Sequence, residues 1–463
     1  MNKDCKPKLI SAKINNLFGD RDIAMKFKEG RPTFIHGRNG TGKSSMLRMV
    51  ETLFNHEKWT DFIILPELLF DSVSVTLSDG HTVTFSTTRN ESRSGKVQEN
   101  PISVKVELLQ NGKVLLRDDI SDLLGVSDER FWAAPNFAGV RRPMHRGVGM
   151  RFEDRGDLWE LRLRRAMRDE NPRQVLKIIG YLNQFEVRFL GTDRDSSTFK
   201  APDDEVNKIK IDNGKRILAL QKDLDNLISQ VRAQQSLENL DLETFVEAHQ
   251  ARIQEAQGNL AELLTDESKL AQLRQEILDT ELKYSELGII KGVTSREASK
   301  IDESLSDFKG EINRALETAY RMRLKQLELF DYAFRRLELF NEILHEKFFK
   351  KVVRISNGHL EIASKKSDIH SENDLDFEKL SSGEKQFLVL IHSMLIKSTA
   401  DKEKQLIFLV DEPELSLQGD WLMSFSDDMN AIQTRTGAQM IFTSHNIVIS
   451  GFDDLSELEV LIR

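Results

Sequence analysis

The stretch Gly37-Arg38-Asn39-Gly40-Thr41-Gly42-Lys43-Ser44 decides the fold class of this chain. Residues 32–36 before it read as a short strand of the buried type feeding the glycine loop. After it, residues 45–55 carry Met46, Leu47, Met49, Val50, Leu53 and Phe54 at helical spacing. A glycine loop between a strand and a helix is what phosphate chemistry requires. The glycines let backbone N–H groups turn inward, Lys43 neutralises β and γ oxygens, and the Ser44 hydroxyl suits Mg²⁺. Gly37 through Ser44, with Ser45 opening the helix, are therefore the expected nucleotide-binding residues.

Upstream and downstream of the loop, residues 8–14 and 23–27 alternate as strands. Residues 70–85 and 102–116, broken at Asp79-Gly80 and Asn111-Gly112, predict two β-hairpins in a small antiparallel sheet. Near the other end, Ile407, Phe408, Leu409 and Val410 form a buried-type strand that delivers Asp411 and Glu412 to its carboxyl end, where ligands bind in open α/β sheets. Asp411 is expected to hold the magnesium and Glu412 to orient or deprotonate the attacking water. The alternative is a strand that simply ends on acidic turn residues before Pro413. Residues 352–362 read as a hairpin around Asn357-Gly358, 387–396 as a helix, 440–443 as a strand, and 458–462 as a last strand. Strands alternating with helices predict an α/β fold.

Ser381, Ser382, Gly383 and Glu384 precede that helix. Ser-x-x-Glu before an apolar run is a capping box, yet a helix start with a glycine and two hydroxyls also makes an anion site. Between the halves, residues 203–350 are helical in pattern. Ile217, Leu220, Leu224, Leu227 and Val231 advance by threes and fours, and Ile253, Ala256, Leu260, Leu263, Leu270, Leu273, Ile277, Tyr284 and Leu287 make a second seam. A coiled-coil hairpin and an ordinary helical bundle both fit. Residues 141–177 hold eleven Arg or Lys against six Asp or Glu, which suits either a solvated helix face or an anion surface for nucleic acid or an acidic protein.

Composition narrows the class. At 463 residues the chain exceeds the roughly 250–300 over which one core keeps growing, so two units or more are expected. A net charge of -9 argues against coating nucleic acid through the overall field. Cys5 is the only cysteine, which excludes an intrachain disulfide or a Cys-based zinc site and fits a reducing, cytoplasmic compartment. No apolar run approaches the ~20 residues of a membrane span.

The segments 380–386, 406–412, 415–418 and 444–446 resemble the signature, Walker B, D-loop and switch-histidine motifs of ABC-type ATPases. Within these, the chain looks like the SMC, RecF, RecN and overcoming-lysogenization-defect group. That resemblance implies a two-lobed ATPase head split by a coiled-coil insert: lobe I at 1–200, insert at 201–350, lobe II at 351–463. It implies ATP and Mg²⁺ as ligands, homo-oligomerisation through ATP-sandwiched heads, Ser381, Ser382, Gly383 and Glu384 acting on a partner's nucleotide, and His445 sensing the γ-phosphate. The glutamine that should touch Mg²⁺ is not obvious; Gln184 and the turn Thr192-Asp193-Arg194 are alternatives. No nuclease pattern follows residue 446. The short arm and the head resemble ATPase components of bacterial antiphage systems, such as AriA of PARIS and PtuA of Septu, which implies a separate effector nuclease. A chromosome or repair ATPase binding DNA through 141–177 is the alternative, and a transporter subunit fits less well because the insert is long.

Overall fold

The computed structural model describes residues 6–38, 40–64, 70–89, 103–126, 152–168, 173–191, 208–237, 267–290, 311–348, 351–364, 373–374, 377–397, 404–417, 419–450, 455–457 and 459–462. The chain divides into two compact units, Met1–Lys200 with Asp401–Arg463, and Ala201–Ala400. The first unit opens with β1 (Leu9–Leu17), β2 (Arg21–Lys26), β3 (Thr33–His36), α1 (Lys43–Phe54) and α2 (Asp61–Ile64). It continues with β4 (Ser72–Leu77), β5 (His81–Thr88), β6 (Ser103–Gln110), β7 (Lys113–Asp119), α3 (Ser121–Leu124), α4 (Phe152–Ala166), α5 (Gln174–Leu182) and β8 (Phe185–Leu190). The second unit holds α6 (Lys208–Leu237), α7 (Glu267–Glu286), α8 (Glu311–Lys347), β9 (Lys351–Ser356), β10 (His359–Ser364), β11 (Asn373–Asp374) and α9 (Ser382–Leu395). The chain then returns to the first unit as β12 (Gln405–Asp411), α10 (Gly419–Thr436), β13 (Gln439–Ser444), β14 (Leu455–Glu457) and β15 (Glu459–Ile462).

The α/β character comes from two sheets in the first unit. One has the order β14-β3-β13-β12-β8 and is parallel throughout. Its strands β12 and β13 are buried at every position, which is why their sequences read as continuous apolar runs rather than alternations. The other, β15-β2-β1-β4-β5-β6-β7, is antiparallel. It is larger than the small sheet expected from the hairpins, because β1, β2 and the distant β15 join the same ladder. Its strands alternate in burial, as β4 does with Val73, Val75 and Leu77 inward.

Helix α1 packs against strands of both sheets. Its Met46, Leu47, Val50 and Leu53 share one core with Ile14, Ile23, Val75, Ile407, Leu409 and Ile441. Each such fully buried side chain contributes about 1.5–3 kcal/mol relative to exposure. The parallel register aligns Ser444 with His36 and Asp411 with Thr443, so β3, β12 and β13 release residues 37, 412 and 445 from one edge. Ligands in open α/β sheets bind at that edge.

In the second unit, α8 buries Leu327, Phe330, Ala333, Leu337, Phe340 and Leu344 at steps of three and four. It packs against α6, α7, α9 and β9. Helix α6 buries Leu220, Leu224, Leu227 and Val231, while α7 buries Ile277, Tyr284 and Leu287. The Tyr284 ring lies 5.0 Å from that of Phe334 and 6.1 Å from that of Phe330. Of the expected seams, Ile253, Ala256, Leu260 and Leu263 lie outside the described residues. The compact unit runs on past residue 350 to include the hairpin β9–β10 and α9.

At the end of α7 the backbone meets that hairpin directly. Asn357 N–H donates to Glu286 O (2.8 Å) and Gly358 N–H to Leu287 O (3.0 Å). Arg232 of α6 donates to the carbonyls of Gly288 (2.7 Å) and Ile289 (2.8 Å). A Cβ on Gly288 would fall 2.0 Å from Gly358 N, at a φ of +72°, so glycine is required there. Among the described residues, no helix is long and apolar enough to cross a membrane.

Candidate functional site

The phosphate loop joins β3 to α1, as its flanking patterns predict. Gly42 is the N-cap of α1 with φ 95°, and a Cβ there would come within 2.8 Å of Ile23 Cδ1 and 2.9 Å of Leu17 Cδ2. Only glycine fits both the backbone and the space. No side chain caps this helix and no acid stands in its first turn, so its terminal N–H groups and dipole are turned to whatever the loop encloses. Thr41 Oγ1 donates to Arg38 O (2.9 Å), and Arg21, which stacks on the exposed Phe18 ring, donates to Gly40 O (2.8 Å). Asn39 lies outside the described residues.

Lys43 is buried, with 4% of its surface exposed. Its Nζ donates to Gly37 O (2.7 Å) and Arg38 O (3.0 Å) and faces the imidazole of His445, 3.2 Å from Nε2 and 3.4 Å from Nδ1. Burial pulls the Lys43 ammonium below its ordinary pKa, and the carboxylates of Glu412, Asp411 and Glu414 offset part of that effect. Ser44 Oγ donates to Asp411 Oδ1 (2.9 Å), which also accepts from Thr443 Oγ1. A hydroxyl and a carboxylate oxygen side by side form the donor set of a hard cation that takes its remaining ligands from phosphates and water, so these residues fit Mg²⁺.

Glu412 stands where β12 ends. Its φ of 44° and ψ of 57° place it in the left-handed region, a conformation of roughly 1–2 kcal/mol cost for a residue with a Cβ and one that clusters at functional sites. Its N–H donates to Thr443 O (3.0 Å), and its Oε1 lies 2.7 Å from His445 Nε2. An Nε2–H tautomer donating to Glu412 leaves Nδ1 as the acceptor facing Lys43.

The structure thus brings together Lys43, Ser44, Asp411, Glu412 and His445. It adds two residues that the sequence reading passed over. Thr443 shares Asp411 with Ser44, and Glu414 Oε1 accepts from Ser444 Oγ and from the His445 N–H, each at 2.6 Å. The signal for both was position, since each lies within two residues of a motif residue at a strand end.

Two expectations are corrected. Gln184 precedes β8, whose register pairs Phe185 with Gln405 and Leu190 with Val410. Gln184 therefore sits at the amino end of the sheet, about seven residues or 23 Å of strand from the level of Asp411, and cannot touch an ion there. Thr192, Asp193 and Arg194 lie outside the described residues. The helix expected at 387–396 begins instead at Ser382, because the capping box acts at the residue where it is written.

That box is complete. Ser381 Oγ accepts from Glu384 N–H (3.3 Å) and Glu384 Oε2 accepts from Ser381 N–H (2.6 Å), with Lys351 Nζ also 2.6 Å from Glu384 Oε2. Burial works against ionisation of Glu384, but Lys351 and Ser381 outweigh it and hold the carboxyl below its usual range.

Of the basic stretch 141–177, residues 141–151 and 169–172 lie outside the described residues. Within the rest, Arg173 is paired with Asp118 (2.8 Å) and Asp122 (2.7 Å), and Arg162 Nη1 lies 3.3 Å from the carbonyls of Asp122 and Leu123. Arg164, Arg165 and Arg168 are exposed.

No curated protein matches the chain. A solved structure similar to it is the SmcHead bound to the C-winged helix domain of ScpA, with 13% identity over 98% of each chain and a TM-score of 0.35, a likeness that adds nothing to the topology described above. The family model described as AAA ATPase domain matches residues 8–449. With nearly its whole length matched, this chain belongs to the AAA ATPase domain family.

Proposed function

We propose that the first unit binds and hydrolyses ATP, that two copies close around the nucleotide, and that this cycle serves as the sensor or scaffold controlling a separate effector nuclease in antiphage defence. The observation that carries the reading is the meeting of Ser44 with Asp411 (2.9 Å) and of Glu412 with His445 (2.7 Å) at the carboxyl edge of one parallel sheet.

In this reading Lys43 exchanges the carbonyls of Gly37 and Arg38 for β and γ oxygens, and the N–H groups opening α1 take the remaining phosphate charge. Ser44 and Asp411 would hold Mg²⁺, which would supply neutralisation of phosphate charge. Glu412 accepts a proton from the attacking water as the water oxygen bonds to the γ-phosphorus. The bond from that phosphorus to the ADP oxygen breaks, and its electrons leave with ADP. His445, held against Glu412, reads the γ-phosphate. Ser382 and Gly383 present N–H groups with no intrahelical acceptor at the start of α9, and these complete the site of a second copy.

Glu412→Gln is expected to bind ATP normally, lose about 10²–10⁴-fold in turnover and accumulate as pairs in light scattering, while adding Ser382→Arg abolishes the pairs and spares binding. Wild-type turnover in Glu412→Gln would sink the assignment of the base. The defence role is supported by the resemblance to short-armed ATPase heads of antiphage systems. It predicts a nuclease gene beside this one; DNA binding by the isolated protein that falls steeply with salt would instead favour the repair reading.

A further inference from the structure

We infer that Glu414 is a positioning residue: its carboxylate clamps the His445 loop to the turn carrying Glu412, and so governs the rate of hydrolysis without governing nucleotide affinity. The inference rests on the roles given above to Glu412 and His445.

Strands β12 and β13 pair through Asp411 and Thr443, and the last backbone bond between them runs from Glu412 N–H to Thr443 O at 3.0 Å. Beyond it the two chains part. Glu412 turns left-handed into the single turn Pro413–Ser416, and Ser444 leads into His445. Across that gap the Glu414 side chain replaces the ladder. One oxygen, Oε1, receives both the Ser444 hydroxyl and the His445 N–H at 2.6 Å. Bonds from a carboxylate to two converging donors are short and strong, and they act on the backbone of the residue whose imidazole meets Glu412.

The other oxygen, Oε2, is buried and has no hydrogen-bond partner among the described residues. Leaving it so costs stability, which suits a group retained for the place it holds. The turn it closes also carries the left-handed Glu412, a conformation that persists only where the surroundings over-determine it.

The test compares three variants of the full chain in steady-state ATPase assays and in hydrogen exchange of the peptide containing the His445 amide. Glu414→Ala removes the acceptor and is expected to lower kcat by about tenfold or more while KM for ATP stays within about threefold. Its His445 amide should exchange faster by about the same factor. Glu414→Gln keeps an acceptor oxygen of equal reach and should recover most of the turnover and of the protection. Glu414→Asp withdraws the oxygen by one methylene, and should share the loss even if the alanine variant does not fold. Wild-type kcat and exchange in Glu414→Ala, a KM that rises in step with the loss, or a glutamine variant as impaired as alanine would each overturn the inference. If the wild-type chain hydrolyses no ATP, the proposed function falls, whereas the exchange measurement, which needs no nucleotide, still decides whether Glu414 clamps the loop.

Discussion

Two helix starts in this molecule, those of α1 and α9, face the same electrostatic problem and solve it in opposite ways. Both leave backbone N–H groups without intrahelical partners and both carry the positive end of a dipole. At α1 the capping residue is Gly42, no side chain caps the turn and the helix's own first turn holds no acid, the nearby carboxylate of Asp411 being brought to Ser44 from β12. At α9, Ser381 and Glu384 close the turn on each other and Lys351 balances the carboxylate. The first start is shaped to take its anion from outside the chain. The second already holds one, so any phosphate it meets arrives at a start whose resident charge Lys351 has neutralised.

Three measurements press on that contrast. The largest effect is expected at α1. Lys43→Ala removes the ammonium that bridges Gly37 and Arg38, and should weaken ATP binding about a thousandfold, roughly 4 kcal/mol, in a titration with a fluorescent analogue. Retained affinity would mean that the uncapped helix start alone suffices.

The next concerns α9, whose body is tied inward at His392. That imidazole is buried, its Nε2–H donates to Leu220 O (3.0 Å), and burial pushes its pKa down to about 4, the bond to Leu220 opposing only part of this. In the unfolded chain it titrates near 6.5, so the unfolded state binds more protons between those values. Stability is then full above about pH 6.5 and falls as pH drops toward 4, by an amount on the order of 3 kcal/mol. Denaturant unfolding of the full chain across that range should show the loss, and His392→Gln should flatten it. An unchanged slope in the variant would assign the pH dependence to other groups.

The smallest effect separates a self-closed helix start from an open one. Ser381→Ala should cost about 1 kcal/mol, read as faster amide exchange in the first turn of α9, with ATP affinity at α1 untouched. A loss of affinity in that variant would show that the two starts are not independent.

Much of this was legible beforehand, for reasons that can be named. The phosphate loop, the hairpin turns at Asn111-Gly112 and Asn357-Gly358, and the strand ending at Asp411 are local signals. In both turns the asparagine and the glycine have positive φ, as tight hairpins demand. What escaped was set by tertiary pairing. Residue β15 partners lie far off in the sequence, with Val460 opposite Ile23, and no local pattern announces a strand joining a sheet begun hundreds of residues earlier. Gln184 looked suitable as a residue type, but only the parallel register of β8 shows that it stands at the wrong end. Glu414 reads as an ordinary turn acid until His445 is seen to fold back onto it.

The backbone-to-backbone seam between Gly288 and Gly358 has a mechanical meaning. Two backbone hydrogen bonds fasten the foot of α7 to the hairpin turn, the Arg232 guanidinium ties the same foot to α6, and a side chain on Gly288 would find no room between helix end and turn. The joint tolerates no added bulk: a methyl group at residue 288 has to part the end of α7 from the β9–β10 turn.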